Sequence, residues 1–434
     1  MRKLTFGICA VVLSLSLGWS PHARADAVTE WNVNAGKAAT AAPCIGFHEA
    51  VLHAMMHLAI HDALNTIKRR FQPYALDIAG PSGASAKAAV ATAAHDVLVP
   101  VLRQIATPAD CNNAAITGVA ADYTAALAGI PDGAAKTQGI VIGHAAAAVI
   151  LARRIADGSD TPVVDPDYPQ GTNPGEYRFT PGYDFAFAPG WGNVTPFALR
   201  DGTQFRPEPP YAVASAAYTA DFNEVKHLGA KIGSTRTTEQ TEIAHFWYEF
   251  SHVQWNRIAR TVSASAGLDM WENARLFSLL NMALADGYIG SWETKYHYNY
   301  WRPITAIQLA DTDGNPDTVA DPTWEPLRPT PPIPDYDSGH SVLGGAAAQV
   351  LKRVFETDQV SFSTCSLSMP RPRHQCSGAQ EVRRAFSSFT EAAEENGLSR
   401  ILVGIHFRKA VEEGIAHGRK IGNRAVNLFL RPMH

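Results

Sequence analysis

Apolar residues recur at spacings of three and four through most of this chain, and that period restricts it to a packing of helices. Residues 47–67 show it well: Val51, Met55, Leu58, Ala59 and Ala63 fall on one stripe. The same pattern predicts helices over 84–106, 112–128, 134–156, 237–264, 270–300, 340–356 and 379–427. Alternating runs of Val, Ile and Thr bounded by turns are scarce, so the expected fold class is an all-α helical bundle. Hydrophobic residues make up 46% of the 434, enough for a substantial core.

One segment breaks the pattern. Residues 157–210 carry Pro162, Pro166, Tyr168, Pro169, Gly171, Pro174, Tyr177, Tyr183, Phe185, Phe187, Pro189, Trp191 and Pro196. A connection this long is ordinarily functional or disordered, and its aromatic content argues for order. We expect an irregular belt that packs on the bundle and walls the mouth of a site. The domain plan is then residues 1–25 as a leader and 26–434 as one helical domain, with N-terminal helices over 26–156, the belt over 157–210 and catalytic helices over 211–434.

The leader reads as a secretory signal peptide. Arg2 and Lys3 precede an apolar run from Leu4 to Trp19, and Ala23, Arg24 and Ala25 give a small-x-small cleavage site. The run is short for a membrane span, and no stretch of about 20 apolar residues follows it. Cleavage after about Ala25 would deliver a secreted or periplasmic chain without a transmembrane segment. Cys9 leaves with the leader, and Cys44, Cys111, Cys365 and Cys376 form an even set in an exported protein, which favours disulfides. Cys365 and Cys376 bracket a loop rich in Pro and Arg, so we pair them and leave Cys44 with Cys111.

Losing Arg2, Lys3 and Arg24 takes the Lys and Arg count from 37 to 34 against 41 Asp and Glu, a balance of −7. Nucleic acid is an unsuitable partner for such a chain, and no basic run interleaved with aromatics appears. Attraction for an anion must be local, built by a few residues against the overall field.

Three short segments supply those residues. Lys295 and Arg302 lie seven apart, close to two helical turns of about 7.2 residues, and Pro303 limits continuation of the helix beyond Arg302. The second segment runs Pro331, Pro332, Ile333, Pro334, Asp335, Tyr336, Asp337, Ser338, Gly339, His340 and leads into an apolar helical run. A helix starting near Ser338 directs free amides outward, Gly339 lets a ligand oxygen approach the main chain, and His340 can give or take a proton. An ordinary N-cap would explain Asp337 and Ser338 but gives no reason for a His beside a Gly. The third segment holds Arg400 and His406, six apart, or about 240° of helical rotation, so on one straight helix they would not share a face.

Taken in this order, Lys295 and Arg302-Pro303, then Ser338-Gly339-His340, then Arg400 and His406, the chain resembles the superfamily of type 2 phosphatidic acid phosphatases and vanadium-dependent haloperoxidases, a helical-bundle superfamily, in its bacterial haloperoxidase-like branch. The resemblance implies that Lys295, Arg302, Arg400, Ser338 and the Gly339 amide bind the oxygens of vanadate, or of phosphate in the same site. It implies that His406 bonds to vanadium or phosphorus while His340 handles a proton. Two enzymes are then in view: a haloperoxidase using hydrogen peroxide and halide, and a phosphatase passing a phosphate ester through a phosphohistidine. Trp292, the aromatic crowding at Tyr296, Tyr298, Tyr300 and Trp301, and the Pro-Pro-x-Pro approach favour the haloperoxidase.

Three positions depart from the pattern. Asp337 replaces the usual proline and sets a negative charge beside an anion site unless it is bonded away. Ala410 stands where an acidic partner for His406 is usual, leaving Glu412, Glu413 or a more distant residue to orient the ring. Ile333 occupies a pocket-wall position that is aromatic in chloride-oxidising relatives, which favours bromide or iodide. A third reading, from a different class, is an oxyanion-binding protein that has lost turnover through Asp337 and Ala410.

His53, His57, His61 and Asp62 form a further cluster, stepping by four along one helix. Neighbouring pairs could share a metal, but the outer two lie about 12 Å apart along the axis. With Met55, Met56, Leu58 and Ile60 around them, support for the cage by His61 or Asp62 is the favoured reading.

Overall fold

The computed structural model describes residues 26–42, 44, 46–104 and 109–433, so the expected leader, 1–25, lies outside the described residues. The N-terminal half contains α1 (Ala27–Ala41), α2 (Gly46–Ile67), α3 (Ala86–Gln104), α4 (Ala109–Ala128) and α5 (Ala134–Arg153). The belt follows with β1 (Val164–Asp165) and β2 (Ala186–Phe187), an antiparallel pair in the register Val164 to Phe187. Then come α6 (Ala216–Gly229), α7 (Thr238–Phe246), α8 (Ser251–Ala266), α9 (Met270–Tyr298), α10 (Pro303–Gln308) and α11 (Gly339–Val354). A second antiparallel pair, β3 (Phe362–Cys365) and β4 (Arg383–Phe386), precedes α12 (Phe389–Leu402) and α13 (Arg408–Leu428).

The fold is mostly helical, as its period requires. Helices α2 and α9 are buried around nearly their whole circumference, which marks them as central. Helix α9 begins with a capping box, Asp269 accepting from the amides of Trp271 and Glu272 while Glu272 returns to the Asp269 amide, and ends at Asn299 with φ 47°. Helices α2, α11 and α13 pack around it.

Helix α13 approaches α11 closely. A Cβ added at Gly418 would lie 2.0 Å from the Val342 carbonyl oxygen, so no other residue fits without moving backbone. Helix α5, within the helix expected over 134–156, is long and apolar enough to cross a membrane by length and composition, although no such stretch was expected beyond the leader. Its buried residues, Gly139, Ile142, Gly143, Ala146, Ala147 and Ile150, form one stripe at spacings of three and four, and it packs on α3.

Several expected boundaries move. The helix expected over 237–264 is two, α7 and α8, separated at residues 247–250. The one expected over 379–427 resolves into β4, α12 and α13: residues 383–386 pair with β3, Ser388 caps α12, and Gly404 at φ 88° turns the chain between the helices. Helices α1, α6 and the short α10 lie outside the expected set. The Cys365–Cys376 disulfide is formed. Cys44 is free, so the expected Cys44–Cys111 bridge is not found, and the Cys111 side chain lies outside the described residues.

The belt is ordered and joined to the bundle. Asp286 of α9 accepts from the amides of Phe197, Ala198 and Leu199 at 2.7, 2.7 and 2.8 Å. The Phe187 amide donates to Pro332 O, and the Tyr296 hydroxyl donates to Phe187 O. The Tyr177 amide donates to Asn299 O, and the Thr180 hydroxyl to Pro331 O.

Gly418→Ala tests the α11–α13 contact. Overpacking against backbone is expected to cost about 1–3 kcal/mol, read as a lower unfolding midpoint. An unchanged midpoint would contradict the close approach.

Candidate active site

The three motifs converge at the N-terminus of α11. Lys295 comes from the last turn of α9, while Arg302 is the N-cap of α10, beyond the Asn299 turn rather than on the same helical stripe. Ser338 is the N-cap of α11, Arg400 lies in the last turn of α12, and His406 sits in the loop between α12 and α13. The Gly404 turn solves the angular problem posed by Arg400 and His406, because the two are not on one helix. Gly404 itself was a usable sign of that break.

Lys295, Arg302, Ser338, Arg400 and His406 are all buried. Lys295 Nζ donates to the carbonyls of Pro334, Asp335 and Asp337, so its ammonium holds the approach to α11. Arg302 donates through Nε to Ile333 O at 2.6 Å and through Nη1 to Ile405 O at 2.7 Å. Its Nη1 also lies 3.1 Å from His406 Nε2, and its Nη2 has no partner. Arg400 Nη1 donates to Trp247 O at 2.8 Å, while its Nε has none.

Buried guanidinium nitrogens without acceptors are costly, and an oxyanion is the ligand that would satisfy them. Ser338 makes no side-chain cap bond; its hydroxyl accepts from Ser341 at 2.9 Å, which leaves its own proton to donate. At Gly339 an added Cβ would meet Trp292 at 3.5 Å and Ser291 at 3.6 Å, ordinary contacts. Packing therefore does not demand glycine there, and an unobstructed main chain for a ligand remains as its reason.

The position that Ala410 leaves without a carboxylate is served by Asp335. Its Oδ1 is 2.8 Å from His406 Nδ1, at hydrogen-bond length though not in line. A proton on Nδ1, the nitrogen that faces the carboxylate, puts the lone pair of the neutral ring on Nε2, where Arg302 Nη1 donates to it. Glu413 pairs instead with Lys409 at 2.7 Å and Glu412 with Arg408 at 3.6 Å. Ala410 contributes its carbonyl, which accepts the Ser338 amide at 2.9 Å.

Asp337 is bonded away from the anion site. It accepts from Ser291 Oγ and from His417 Nδ1, each at 2.8 Å. His417, which the motifs did not flag, is thus its hydrogen-bond partner.

His340 Nε2 donates to the Glu249 carbonyl at 3.1 Å. Burial, reinforced by Arg400, pushes the His340 pKa well below the usual range, and burial with Arg302, Lys295 and Arg400 does the same to His406. Both rings are neutral at pH 7. Burial, reinforced by Arg302 and opposed by Asp337 and Asp335, lowers Lys295 to about 7. Trp292 and Ile333 are buried in the main apolar core beside these groups, and the Ile333 carbonyl is an Arg302 acceptor.

The histidines of α2 serve the core instead. His53 Nδ1 donates to Glu49 O, His57 Nε2 accepts from Asn32, and His61 Nε2 lies 2.7 Å from Asn65 Nδ2 and 3.1 Å from Gln72 O. Asp62 accepts from the amides of Tyr74, Ala75 and Leu76. Neither His61 nor Asp62 bonds to a cage residue, so the expected support for the cage is not found.

The family described as the VCPO second helical-bundle domain matches residues 275–434, the span that carries all three motifs. Over residues 275–434 the chain is therefore similar to the helical-bundle domain of vanadium haloperoxidases. The chain is 26% identical over 304 residues to vanadium chloroperoxidase of Curvularia inaequalis, across 56% of this chain and 48% of that protein. It therefore spans about half the length of that curated relative.

Two solved structures share this fold. A structure described as the first bacterial vanadium-dependent iodoperoxidase superposes with TM-score 0.73 at 24% identity, covering 94% of this chain and 96% of that one. A holo bacterial vanadium-dependent chloroperoxidase superposes with TM-score 0.68 at 18% identity, covering 94% and 93%.

Two outcomes test the site. Asp335→Asn should weaken vanadate binding about 10–100-fold, as removal of a partner behind a ligating histidine does, whereas Glu413→Gln should not; equal effects would reject the Asp335 assignment. Vanadate affinity should also fall as pH rises through about 7, because the cationic form of Lys295 attracts the anion. An affinity that climbs between pH 7 and 9 would contradict that sign.

Proposed function

We propose that this chain is an exported, vanadate-dependent haloperoxidase that oxidises bromide or iodide with hydrogen peroxide. The observation that carries the reading is the pair of buried guanidinium nitrogens, Arg302 Nη2 and Arg400 Nε, left without acceptors in the site of His406. The donor set suits a tetrahedral oxyanion: Arg302, Arg400, the Ser338 hydroxyl and the Gly339 amide for its oxygens, and the neutral Nε2 of His406 for its central atom. Lys295 adds charge from behind the approach segment. When bound, vanadate supplies a Lewis-acidic centre that activates hydrogen peroxide toward halide.

Every other part of the task falls to the chain's own residues. Asp335 orients His406 so that Nε2 keeps its lone pair. His340, held neutral by burial, has Nδ1 open to take a proton and give it back. Trp292 and the belt residue Phe187, whose carbonyl receives Tyr296, limit water on one side.

The names of the relatives, a chloroperoxidase and an iodoperoxidase, support peroxidase over phosphatase chemistry. An aliphatic Ile333 supports bromide or iodide over chloride. The Cys365–Cys376 disulfide supports an oxidising compartment and, with the leader, secretion or a periplasmic location.

Reconstitution with vanadate, followed by hydrogen peroxide and bromide, should brominate a phenolic indicator, and His406→Ala should abolish the reaction. Absence of bromination across a broad pH range, with hydrolysis of an aryl phosphate by the metal-free protein and its inhibition by vanadate, would instead assign a phosphatase. Vanadate binding with neither activity would leave an oxyanion-binding protein.

A further inference from the structure

The turn between α7 and α8 touches two cage residues with three consecutive positions. Trp247 offers its carbonyl to Arg400 Nη1 at 2.8 Å. The Tyr248 ring centroid lies 5.5 Å from the Arg400 guanidinium carbon. Glu249 offers its carbonyl to His340 Nε2 at 3.1 Å. A carbonyl only accepts, so this contact requires Nε2–H on the neutral ring and leaves the lone pair on Nδ1. The turn therefore fixes both the direction of the His340 ring and the nitrogen that can act as a base.

Such a turn does not hold itself in place, because it interrupts the helical hydrogen-bond ladder. Its side chains and carbonyls are fastened from elsewhere. Arg257 of α8 grips the Glu249 carboxylate with two bonds of 2.6 and 2.9 Å, and its Nη1 also donates to Cys365 O at 2.9 Å. The Leu367 amide is 3.3 Å from Glu249 Oε2. Ser366 Oγ donates to Phe246 O and Ser368 Oγ to His245 O, each at 2.6 Å. These partners belong to the loop that leaves β3 at Cys365 and is closed by the disulfide to Cys376. Trp247 Nε1 donates to Glu395, and the Tyr248 hydroxyl to Pro329 O, from two further directions.

We propose that residues 247–249 are the positioning element for His340 and Arg400, and that Arg257, with the disulfide-closed loop after Cys365, holds that element in register. Arg257 and Glu249 touch neither oxyanion nor halide; they act through the backbone of the turn. The paired geometry needs the planar fork of arginine, which a lysine reproduces only in part. This inference rests on the reading of His340 and Arg400 as site residues.

The test uses the full chain with inorganic vanadate as probe. Arg257→Met keeps the apolar stem and removes the fork. Vanadate affinity, measured by calorimetry, should fall about tenfold, the lower end for loss of a supporting hydrogen bond. The nitrogen NMR spectrum of His340 should show Nε2 protonated and hydrogen-bonded at neutral pH in the parent protein, and tautomer exchange in the variant. Arg257→Lys should restore part of both signals. Glu249→Gln, which retains side-chain volume, serves if Arg257→Met does not fold, and the Cys365→Ser, Cys376→Ser pair should change the His340 spectrum in the same direction.

A parent-like His340 spectrum and vanadate affinity in folded Arg257→Met or Glu249→Gln would overturn the proposal. So would an Nδ1-protonated His340 in the parent protein. If the parent binds vanadate without oxidising bromide, the functional reading fails, and the His340 spectrum still decides this inference.

Discussion

Positive charge buried at one end of a helical bundle is the constraint on which the rest of this structure depends. Arg302, Arg400 and Lys295 are removed from water, and a desolvated cation costs several kcal/mol unless other dipoles replace its hydration. Here main-chain carbonyls do so: Ile333, Pro334, Asp335 and Asp337 from the approach to α11, Ile405 from the loop after α12, and Trp247 from the turn before α8. The irregular backbone around the site is thus its solvent. A regular helix, whose carbonyls are spent on its own ladder, could not supply it. The donors left without acceptors, Arg302 Nη2 and Arg400 Nε, are where the proposed oxyanion would be received.

Carboxylates are placed so that they do not cancel that field. Asp335 is directed to His406, and Asp337, close in sequence to the anion site, is tied to Ser291 and His417. Two other buried carboxylates, Asp286 and Asp62, each collect three successive amides and fix long loops to the central helices. Burial raises Asp286 to about 6, and its three accepted amides, from residues 197–199, tie the belt to α9.

What the sequence revealed and what it hid follow the same physics. Helical period, the three motifs and the Cys365–Cys376 pair are local or ordered patterns, and they located the bundle, the cage and one disulfide. The break between α12 and α13 was signalled by Gly404, but an uninterrupted apolar period on either side masked it. Asp335 stood in view within the proline-rich run, yet its meeting with His406 depends on two loops far apart in sequence. His417 and Glu249 carry no motif at all, since one is recognised only by its carboxylate partner and the other acts through a carbonyl that every residue type possesses. Arg302 was expected on the Lys295 stripe, and the Asn299 turn moved it to the start of the next helix without removing it from the site.

We propose His406 Nε2, oriented through Nδ1 by Asp335, as the atom to which the oxyanion's central atom binds. A crystal structure of the vanadate-loaded protein, with vanadium located by its anomalous scattering, tests this most directly. One vanadium peak bonded to His406 Nε2 is expected, with Arg302 and Arg400 donating to its oxygens. A peak bonded to His340, to the Nδ1 of His406, or lying away from both arginines would contradict it.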